Sequence, residues 1–129
     1  MTITKFGQCC LLIEHKGKRI LTDPGRFTTE QNSLTDLDLI LITHEHADHL
    51  HTESLQAIVT NNPQAVVVTN SAVGKLLTEA NIAHVVCEGT DNGEFAEVLI
   101  EAFDGEHVEI FEDFGLVQNT GYFIDNHLF

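Results

Sequence analysis

The first part of the chain alternates short apolar runs with turn residues. Strands are predicted at residues 3–6, 9–14 and 19–22, and the glycine in segment 15–18 suits a hairpin turn between the last two. The turn sequence Asp23-Pro24-Gly25 ends this meander, and the polar segment 28–35 is predicted to be a loop. The opening of the chain is therefore expected to be an antiparallel meander.

Strands and helices alternate in the middle of the chain. Residues 37–43 are almost continuously apolar, which is typical of a strand covered on both faces. One helix is predicted from Thr52, as its capping residue, to the stop signal at 61–63, and another begins at Ser71. Strands are predicted at 65–69 and 84–87. This order favours parallel pairing with right-handed crossovers, so the predicted fold class is α/β.

The last third of the chain returns to strands. After a turn at 91–93, strands are predicted at 97–103 and 121–125. Residues 125–127 are turn-like, and only residues 128–129 remain for a returning strand, although such a pair needs several residues on each side. The chain is therefore expected to be the N-terminal part of a longer protein.

Charge and composition exclude several classes of partner. The chain has 129 residues and a formal net charge of -14, from six basic and twenty acidic residues. A phosphate backbone would be repelled, so no nucleic-acid partner is expected. No segment approaches the roughly 18 apolar residues of a membrane span, and the N-terminus lacks the pattern of a secretory signal. No membrane association is expected, and the expected location is cytoplasmic.

The three cysteines are interpreted as structural. Cys9, Cys10 and Cys87 are odd in number, and strand alternation would point the adjacent pair to opposite sides. All three are predicted to be reduced thiols of the core.

The densest candidate chemistry follows the buried strand. Residues 39–51 read LILITHEHADHLH, with His44, His46, Asp48 and His49 at the point where the strand gives way to the next helix. Open α/β sheets bind ligands beyond the carboxyl ends of their strands. Alternation projects His44 and His46 to the same side, where both rings can reach one ion. Imidazole and carboxylate are ligands of zinc, and sites rich in imidazole also take manganese or iron, so a metal centre is predicted.

Residues 43–50, THEHADHL, match the His-x-His-x-Asp-His signature of the metallo-β-lactamase superfamily. KFGQCCLLIE followed by RILTDPG resembles the opening meander of the branch of metal-dependent hydrolases that includes the ascorbate-phosphate lactonase. The resemblance implies a metallo-β-lactamase-like αβ/βα sandwich. Residues 1–129 would supply its first half plus the start of the second, as the N-terminal part of a single domain truncated at the C-terminus. Half a sandwich would expose its inner face, so three alternatives are expected: a homo-oligomer such as a dimer, poor solubility, or a missing C-terminal portion.

The resemblance also implies a ligand set for two divalent ions, expected to be zinc. The first two motif histidines would join a later histidine at one ion, while the aspartate and the last motif histidine would contribute to the other. His107 is preferred as the later histidine because it follows a strand and a turn at Gly105, and His84 is the alternative.

Other acidic residues and histidines are interpreted more conservatively. The family's bridging aspartate and final histidine would lie beyond residue 129, and no aspartate of the chain has the matching context. Asp104, Asp113 and Asp125 are therefore interpreted as solvated turn residues. Asp23 either supports the metal centre, as a similarly placed family residue does, or is a turn residue before a proline. The histidines without motif support, interpreted as surface residues, are His15, His51 and His127.

The implied function is the hydrolysis of a small-molecule ester, lactone, amide or phosphoester by metal-activated hydroxide, with Asp48 as the candidate catalytic residue. The alternative is a non-catalytic metal-binding module, or an inactive fragment lacking the second-metal ligands. A fourth ligand such as His84 would favour a closed structural site. Di-iron oxidoreductases of this fold usually carry glutamate in place of His46, which argues against that class. The 129 residues alone are expected to retain a second metal weakly and to hydrolyse little.

Overall fold

The computed structural model describes residues 1–7, 9–107, 117–125 and 127–129, with the side chains of 104–107, 117 and 128 outside that description. Within these ranges two helices and two sheets are formed. The helices are α1 (Thr52–Asn61) and α2 (Ser71–Glu79), with a short 3₁₀ helix at Glu30–Ser33. The first sheet consists of β1 (Thr2–Lys5), β2 (Leu11–His15), β3 (Lys18–Thr22), β4 (Leu39–Leu41), β5 (Val66–Thr69) and β6 (Val85–Val86). The second consists of β7 (Asn92–Phe95), β8 (Val98–His107), β9 (Val117–Ile124) and β10 (His127–Leu128).

The topology of the first sheet confirms the pairing expected from the sequence. Strands β1, β2 and β3 form an antiparallel meander. Strands β3 to β6 are then parallel neighbours in chain order, with α1 and α2 in the crossovers that join β4 to β5 and β5 to β6. The carboxyl ends of four parallel strands therefore lie at one edge of this sheet.

Strand β4 is buried on both faces, as its continuous apolar sequence predicts. Ile40 belongs to a cluster that also contains Leu55 of α1 and Leu77 of α2. Leu39 and Leu41 belong to a second cluster that contains residues of β8 and β9. Because successive side chains of a strand point to opposite faces, β4 is the shared centre of a helix layer and a second sheet.

The inner face of the second sheet is covered in the described part of the chain. Ile100, Tyr122 and Ile124 are buried against residues of the first sheet. The expectation that half a sandwich would expose this face is therefore wrong, because the two sheets already pack on each other. Leu99 and Phe103, which are 59% and 60% exposed, point away from the buried Ile100 by strand alternation. Neither helix has the length and apolar character needed to cross a bilayer, among the residues described.

Local differences from the sequence predictions concern element ends and one edge strand. The segment expected to be a turn before β8 contains β7, which the mixed sequence NGEF did not indicate. Helix α1 has His51 as its N-cap, so the predicted capping role of Thr52 is wrong. Helix α2 begins at Ser71, but its cap is Asn70, whose Oδ1 accepts a hydrogen bond from the Val73 amide at 2.9 Å.

Asn62, at the end of α1, has a fully buried side chain with three hydrogen bonds. Its Oδ1 accepts from the Leu37 amide at 2.9 Å, and its Nδ2 donates to the carbonyls of Leu34 at 2.8 Å and Ile58 at 2.9 Å. Asn62→Ala leaves these backbone groups without that partner in the interior, so we expect the free energy of unfolding to fall by about 3 kcal/mol. Urea unfolding followed by circular dichroism measures this change.

The control for this prediction is Asn61→Ala, since Asn61 is exposed and, among the described residues, its side chain donates one hydrogen bond, to the Asn32 carbonyl at 3.1 Å. A loss of about 0.5 kcal/mol or less is expected there. Equal losses in the two variants would contradict the structural role assigned to Asn62.

Candidate metal centre

The motif residues follow β4 at the carboxyl edge of the parallel strands. Thr43 and His44 are buried, with 8% and 3% of their surface exposed. The Thr43 carbonyl accepts hydrogen bonds from the Asn70 side chain and from the Thr120 amide, both at 2.9 Å. Because Asn70 caps α2 and Thr120 belongs to β9, the start of the motif is fixed to both layers that cover the first sheet.

A tight turn carries the rest of the motif. The amides of His49 and Leu50 both donate to the His46 carbonyl, at 2.9 and 2.8 Å. Leu50 is buried in the helix-side cluster, and the Arg26 amide donates to the Ala47 carbonyl at 2.8 Å. The turn is therefore held at one end by the packing of Leu50 in the core, and also by a hydrogen bond from the segment that follows β3.

The structure brings the four motif side chains together. Ligand atoms of His44, His46 and Asp48 all lie within 4.8 Å of one another. The ring centroids of His44 and His46 are 5.0 Å apart with an interplanar angle of 78°, and those of His44 and His49 are 3.8 Å apart. His44 forms the buried side of this group, while the Asp48 side chain is 38% exposed. The group therefore borders solvent on one side and the core on the other.

Asp23 is the central acceptor beneath the motif. Its Oδ1 accepts from the Thr43 amide at 2.7 Å, and its Oδ2 accepts from the Thr43 hydroxyl at 2.9 Å and lies 2.8 Å from Nδ1 of His49. Burial raises the pKa of the Asp23 carboxyl above its usual value, while the hydrogen bonds from His49 and Thr43 oppose the rise. Of the two interpretations of Asp23, the structure favours the one in which it supports the site.

These contacts assign the proton positions on two rings. The Thr43 hydroxyl has one proton, which it donates to Asp23, so its 3.0 Å contact with His44 places a proton on Nδ1 of His44. Nδ1 of His49 donates to the Asp23 carboxylate in the same way. Because Nδ1 of each ring is held by an outer hydrogen-bond partner, Nε2 is the nitrogen that would bind a metal.

Cys9 is only partly buried and lies beside Asp48, so the prediction that it is a core thiol is wrong. Its Sγ is 3.7 Å from Oδ2 of Asp48, and Cys9, Asp48 and His49 form a second group whose ligand atoms lie within 4.8 Å of one another. Burial raises the pKa of the Cys9 thiol to about 11, and the negative charges of Asp48 and Asp23 act in the same direction. The core prediction is confirmed for Cys10 and Cys87, whose side chains are buried.

The two candidates for the later histidine are placed differently. His107 is the last residue of β8, and its side chain lies outside the described part of the structure. In the register of β8 and β9, Asp104 pairs with Thr120, whose amide contacts the motif, so β8 continues for three residues beyond this point. The ligand role of His107 stays a prediction. His84 contacts the Ile82 carbonyl through Nδ1 at 3.0 Å and belongs to neither ligand group of the described residues.

The remaining aspartates considered as substitutes lie elsewhere or outside the description. Asp113 and the side chain of Asp104 are among the residues that the structure does not describe. Asp125 is exposed and accepts from His15 at 2.7 Å and Lys16 at 3.2 Å, and the hydrogen bonds from these two residues lower its pKa. Asp125 therefore behaves as the solvated turn residue that the sequence predicted.

Gly25 is a second residue of the site that sequence reasoning missed. A Cβ atom on Gly25 would lie 2.2 Å from the Asp48 carbonyl oxygen and 2.8 Å from that of Ala47. A glycine is therefore required where the chain passes beneath the motif turn. The sequence Asp-Pro-Gly predicts a turn at this position, but it does not indicate that the turn packs against the backbone of Ala47 and Asp48.

The chain belongs to the metallo-β-lactamase superfamily. The family model described as "Beta-lactamase superfamily domain" matches residues 2–127, which is almost the whole sequence. The α/β fold and the superfamily inferred from the motif are thereby confirmed.

Curated relatives extend well beyond the matched region. Protein Rv0786c of Mycobacterium tuberculosis is 33% identical over 125 residues, covering 96% of this chain and 57% of its own length. A metal-dependent hydrolase of Flavobacterium johnsoniae is 37% identical over 79 residues, covering 57% of this chain and 33% of the relative. The chain thus spans about half the length of the first of these relatives.

Solved structures share the fold at lower identity. A candidate metal-dependent hydrolase from Parabacteroides distasonis has a TM-score of 0.76 at 24% identity, covering 95% of this chain and 54% of the other. CmlA, a diiron beta-hydroxylase from Streptomyces venezuelae, has a TM-score of 0.72 at 22% identity, with 98% and 28% coverage. The same architecture therefore occurs in proteins with different metal chemistry.

Proposed function

We propose that this chain carries the metal centre of a hydrolase acting on an ester, lactone or phosphoester bond of a small molecule. His44, His46 and His107 hold one divalent ion, and Asp48 with His49 contributes to a second. The observation that carries the proposal is the convergence of His44, His46 and Asp48 within 4.8 Å at the carboxyl edge of the parallel strands. The superfamily, and a relative named as a metal-dependent hydrolase, support it.

The donor set fits such ions. Two imidazoles and a carboxylate match the preferences of zinc, which binds nitrogen and oxygen ligands at about 2.0–2.2 Å. The Nδ1 contacts made by Thr43 with His44 and by Asp23 with His49 supply the outer hydrogen-bond partners that orient metal-binding imidazoles. A bound divalent ion would lower the pKa of its water to about 7 and would polarise the oxygen under attack.

Other residues of the site orient the metal ligands and the attacking water. Thr43 and Asp23 fix the rings of His44 and His49, so their nitrogens need little rearrangement on binding. The Asp48 side chain is 38% exposed, against 17% for His49, and in this proposal it accepts a hydrogen bond from the attacking water and orients it. The net charge of -14 favours cation binding, and bound ions would reverse the local field for an anionic substrate.

The domain assignment and the cellular setting belong to the same proposal. Residues 1–129 form the N-terminal part of a single metallo-β-lactamase-like domain, in keeping with the 57% of the first relative that they cover. Zinc is the proposed metal and a cytoplasmic location the proposed setting. The complete activity is proposed for a protein of the relatives' length, and metal binding is proposed for the chain itself.

Metal removal and reloading test the proposal. The chain is stripped with a chelator, reloaded with Zn²⁺, Mn²⁺ or Fe²⁺, and analysed for bound metal after gel filtration. A version extended to the relatives' length is assayed on a nitrophenyl ester, a simple lactone and a nitrophenyl phosphate. We expect at least one tightly bound ion per chain and metal-dependent turnover of one substrate class. Bound metal without turnover in the extended protein would favour the non-catalytic module, and no bound metal would overturn the proposal.

Asp23→Asn is expected to weaken metal binding about 10–100-fold, the usual cost of losing an outer partner of a metal-binding histidine. The amide nitrogen that replaces Oδ2 is a donor, so His49 must accept at Nδ1 and carry its proton on Nε2. That tautomer has no lone pair on Nε2 for an ion. Competition with a fluorescent zinc chelator measures the affinity.

Asp125→Asn is the matched control for this prediction. Asp125 also has a positive φ, +48° against +46° for Asp23, and it contacts His15 at 2.7 Å. Asp125 lies outside both ligand groups of the described residues, so the metal affinity of Asp125→Asn should equal that of the unmodified chain. An equal loss in both variants would show a general effect of removing acidic charge.

A further inference from the structure

We infer that Cys9 is a ligand of the second ion and completes a Cys9–Asp48–His49 site for a thiophilic divalent ion, zinc in preference to manganese. The inference rests on the proposed function, which supplies the second ion. It adds to the site a donor that lies outside the motif at residues 43–50. It also gives the second position three ligands from this chain, where the motif alone provides two.

The first support is the spacing of the three donors. Sγ of Cys9 is 3.7 Å from Oδ2 of Asp48, and Nε2 of His49 is 3.4 Å from the same oxygen. Tetrahedral zinc with bonds of about 2.3 Å to sulfur and about 2.1 Å to nitrogen and oxygen places sulfur and oxygen about 3.6 Å apart, and nitrogen and oxygen about 3.4 Å apart. Both separations therefore match two edges of a coordination tetrahedron.

The second support is that the thiol is fixed in position. The Cys10 amide donates to the Gly7 carbonyl at 3.2 Å, and the Phe6 amide donates to the Cys10 carbonyl at 3.0 Å. Cys10 is 1% exposed and packs in the helix-side cluster. Because Cys10 occupies the core, its neighbour Cys9 is held at the edge of the site, where its Sγ contacts Asp48.

The third support is charge. Asp23 and Asp48 are both acidic, and one carboxylate together with one thiolate would neutralise a divalent ion bound between them. On binding, the S–H bond breaks, the S–metal bond forms and the proton leaves to solvent. Thiolate is a soft ligand that favours zinc, whereas manganese favours oxygen, so the presence of Cys9 sets the metal preference of this position.

The competing explanation is that Cys9 only donates a weak hydrogen bond to Asp48. That contact has the same 3.7 Å separation and involves no ion. It predicts that replacing the thiol leaves both metal content and metal preference unchanged. Cobalt spectroscopy separates the two explanations, because a thiolate bound to Co²⁺ gives an intense charge-transfer band in the near ultraviolet that nitrogen and oxygen ligands do not give.

The experiment loads the full chain with Co²⁺ and compares it with Cys9→Ser, Cys9→Ala and Cys87→Ala. We expect the charge-transfer band in the unmodified chain and in Cys87→Ala, and its loss in both Cys9 variants, while the visible cobalt bands of the first ion remain. In zinc–manganese competition, the Cys9 variants should lose about tenfold or more of the zinc preference, since even an outer partner is worth about 10–100-fold.

Two results would overturn the inference. Cobalt bound without a charge-transfer band, or with a band that persists in Cys9→Ser, would remove Cys9 from the ligand set and leave the proposed function intact. A chain that binds no cobalt at all would overturn the inference and the proposed metal centre together. Circular dichroism of each variant ensures that only folded protein is compared.

Discussion

His46→Ala is expected to lower the affinity for the first ion by at least about 100-fold while the fold is retained. His46 is half-buried at the start of the motif turn, and its ring lies 5.0 Å from that of His44. Because His46 is only half-buried, its truncation to alanine is expected to leave the apolar clusters in place. Removing one of three protein ligands should cost more than removing an outer partner, which costs about 10–100-fold.

Chelator competition and metal analysis after gel filtration measure this loss. His127→Ala is the control, because His127 is exposed and contacts only the Asp125 carbonyl among the hydrogen bonds described for its ring, at 3.0 Å. The metal affinity of His127→Ala should equal that of the unmodified chain. An unchanged affinity in His46→Ala would exclude this residue as a ligand and contradict the proposed centre. The same titration on His107→Ala tests the third ligand.

Gly25→Ala is expected to destabilise the chain by about 3 kcal/mol or more and to displace the turn that carries Asp48. The added Cβ would lie 2.2 Å from the carbonyl oxygen and 2.3 Å from the carbonyl carbon of Asp48. Both are backbone atoms, so no change of rotamer relieves the contact. The segment is also held by the 2.8 Å bond from the Arg26 amide to the Ala47 carbonyl. Overpacking costs about 1–3 kcal/mol where side chains can adjust, and more where they cannot.

Urea unfolding of the metal-free chain, followed by a metal titration, measures the two effects of Gly25→Ala. Gly74→Ala is the matched control, because there the added Cβ would meet Nε2 of His84 at 3.0 Å, the end of a side chain that can move. Gly74 lies inside α2, where alanine is the better helix former. If Gly25→Ala were as stable as Gly74→Ala and bound metal normally, the close approach beneath the motif would be refuted.

The sequence predicted the central part of the fold because its signals are local. Residues 37–43 are apolar without interruption, and β4 is covered on both faces as this pattern indicates. The Asn61-Asn62-Pro63 stop coincides with the end of α1. The four motif residues fall within six positions after a strand, so one turn is enough to bring them together. Hydrophobic pattern and residue spacing are enough to predict structure where all the interacting residues are close together in the chain.

The remaining features depend on partners that are distant in sequence. Asp23 and His49 are 26 residues apart, and Cys9 and Asp48 are 39 apart, so no periodicity links them. The apolar stretch 9–14 predicts a strand that carries Cys9 into the core, but β2 begins only at Leu11 and Sγ of Cys9 lies next to Asp48 instead. Strand β7 was missed because an edge strand with a mixed sequence is specified by its neighbour rather than by its own pattern.

Two hydrogen bonds join the covering layers to the motif, and both are accepted by the main-chain oxygen of Thr43. The donors are the Asn70 side chain and the Thr120 amide. Every amino acid supplies that oxygen, so divergence at position 43 leaves this acceptor in place. The hydroxyl of the same residue reaches Asp23 and His44 and does change with the side chain. Evolution can therefore retune the ligands through one atom of Thr43 while another atom of the same residue preserves the architecture.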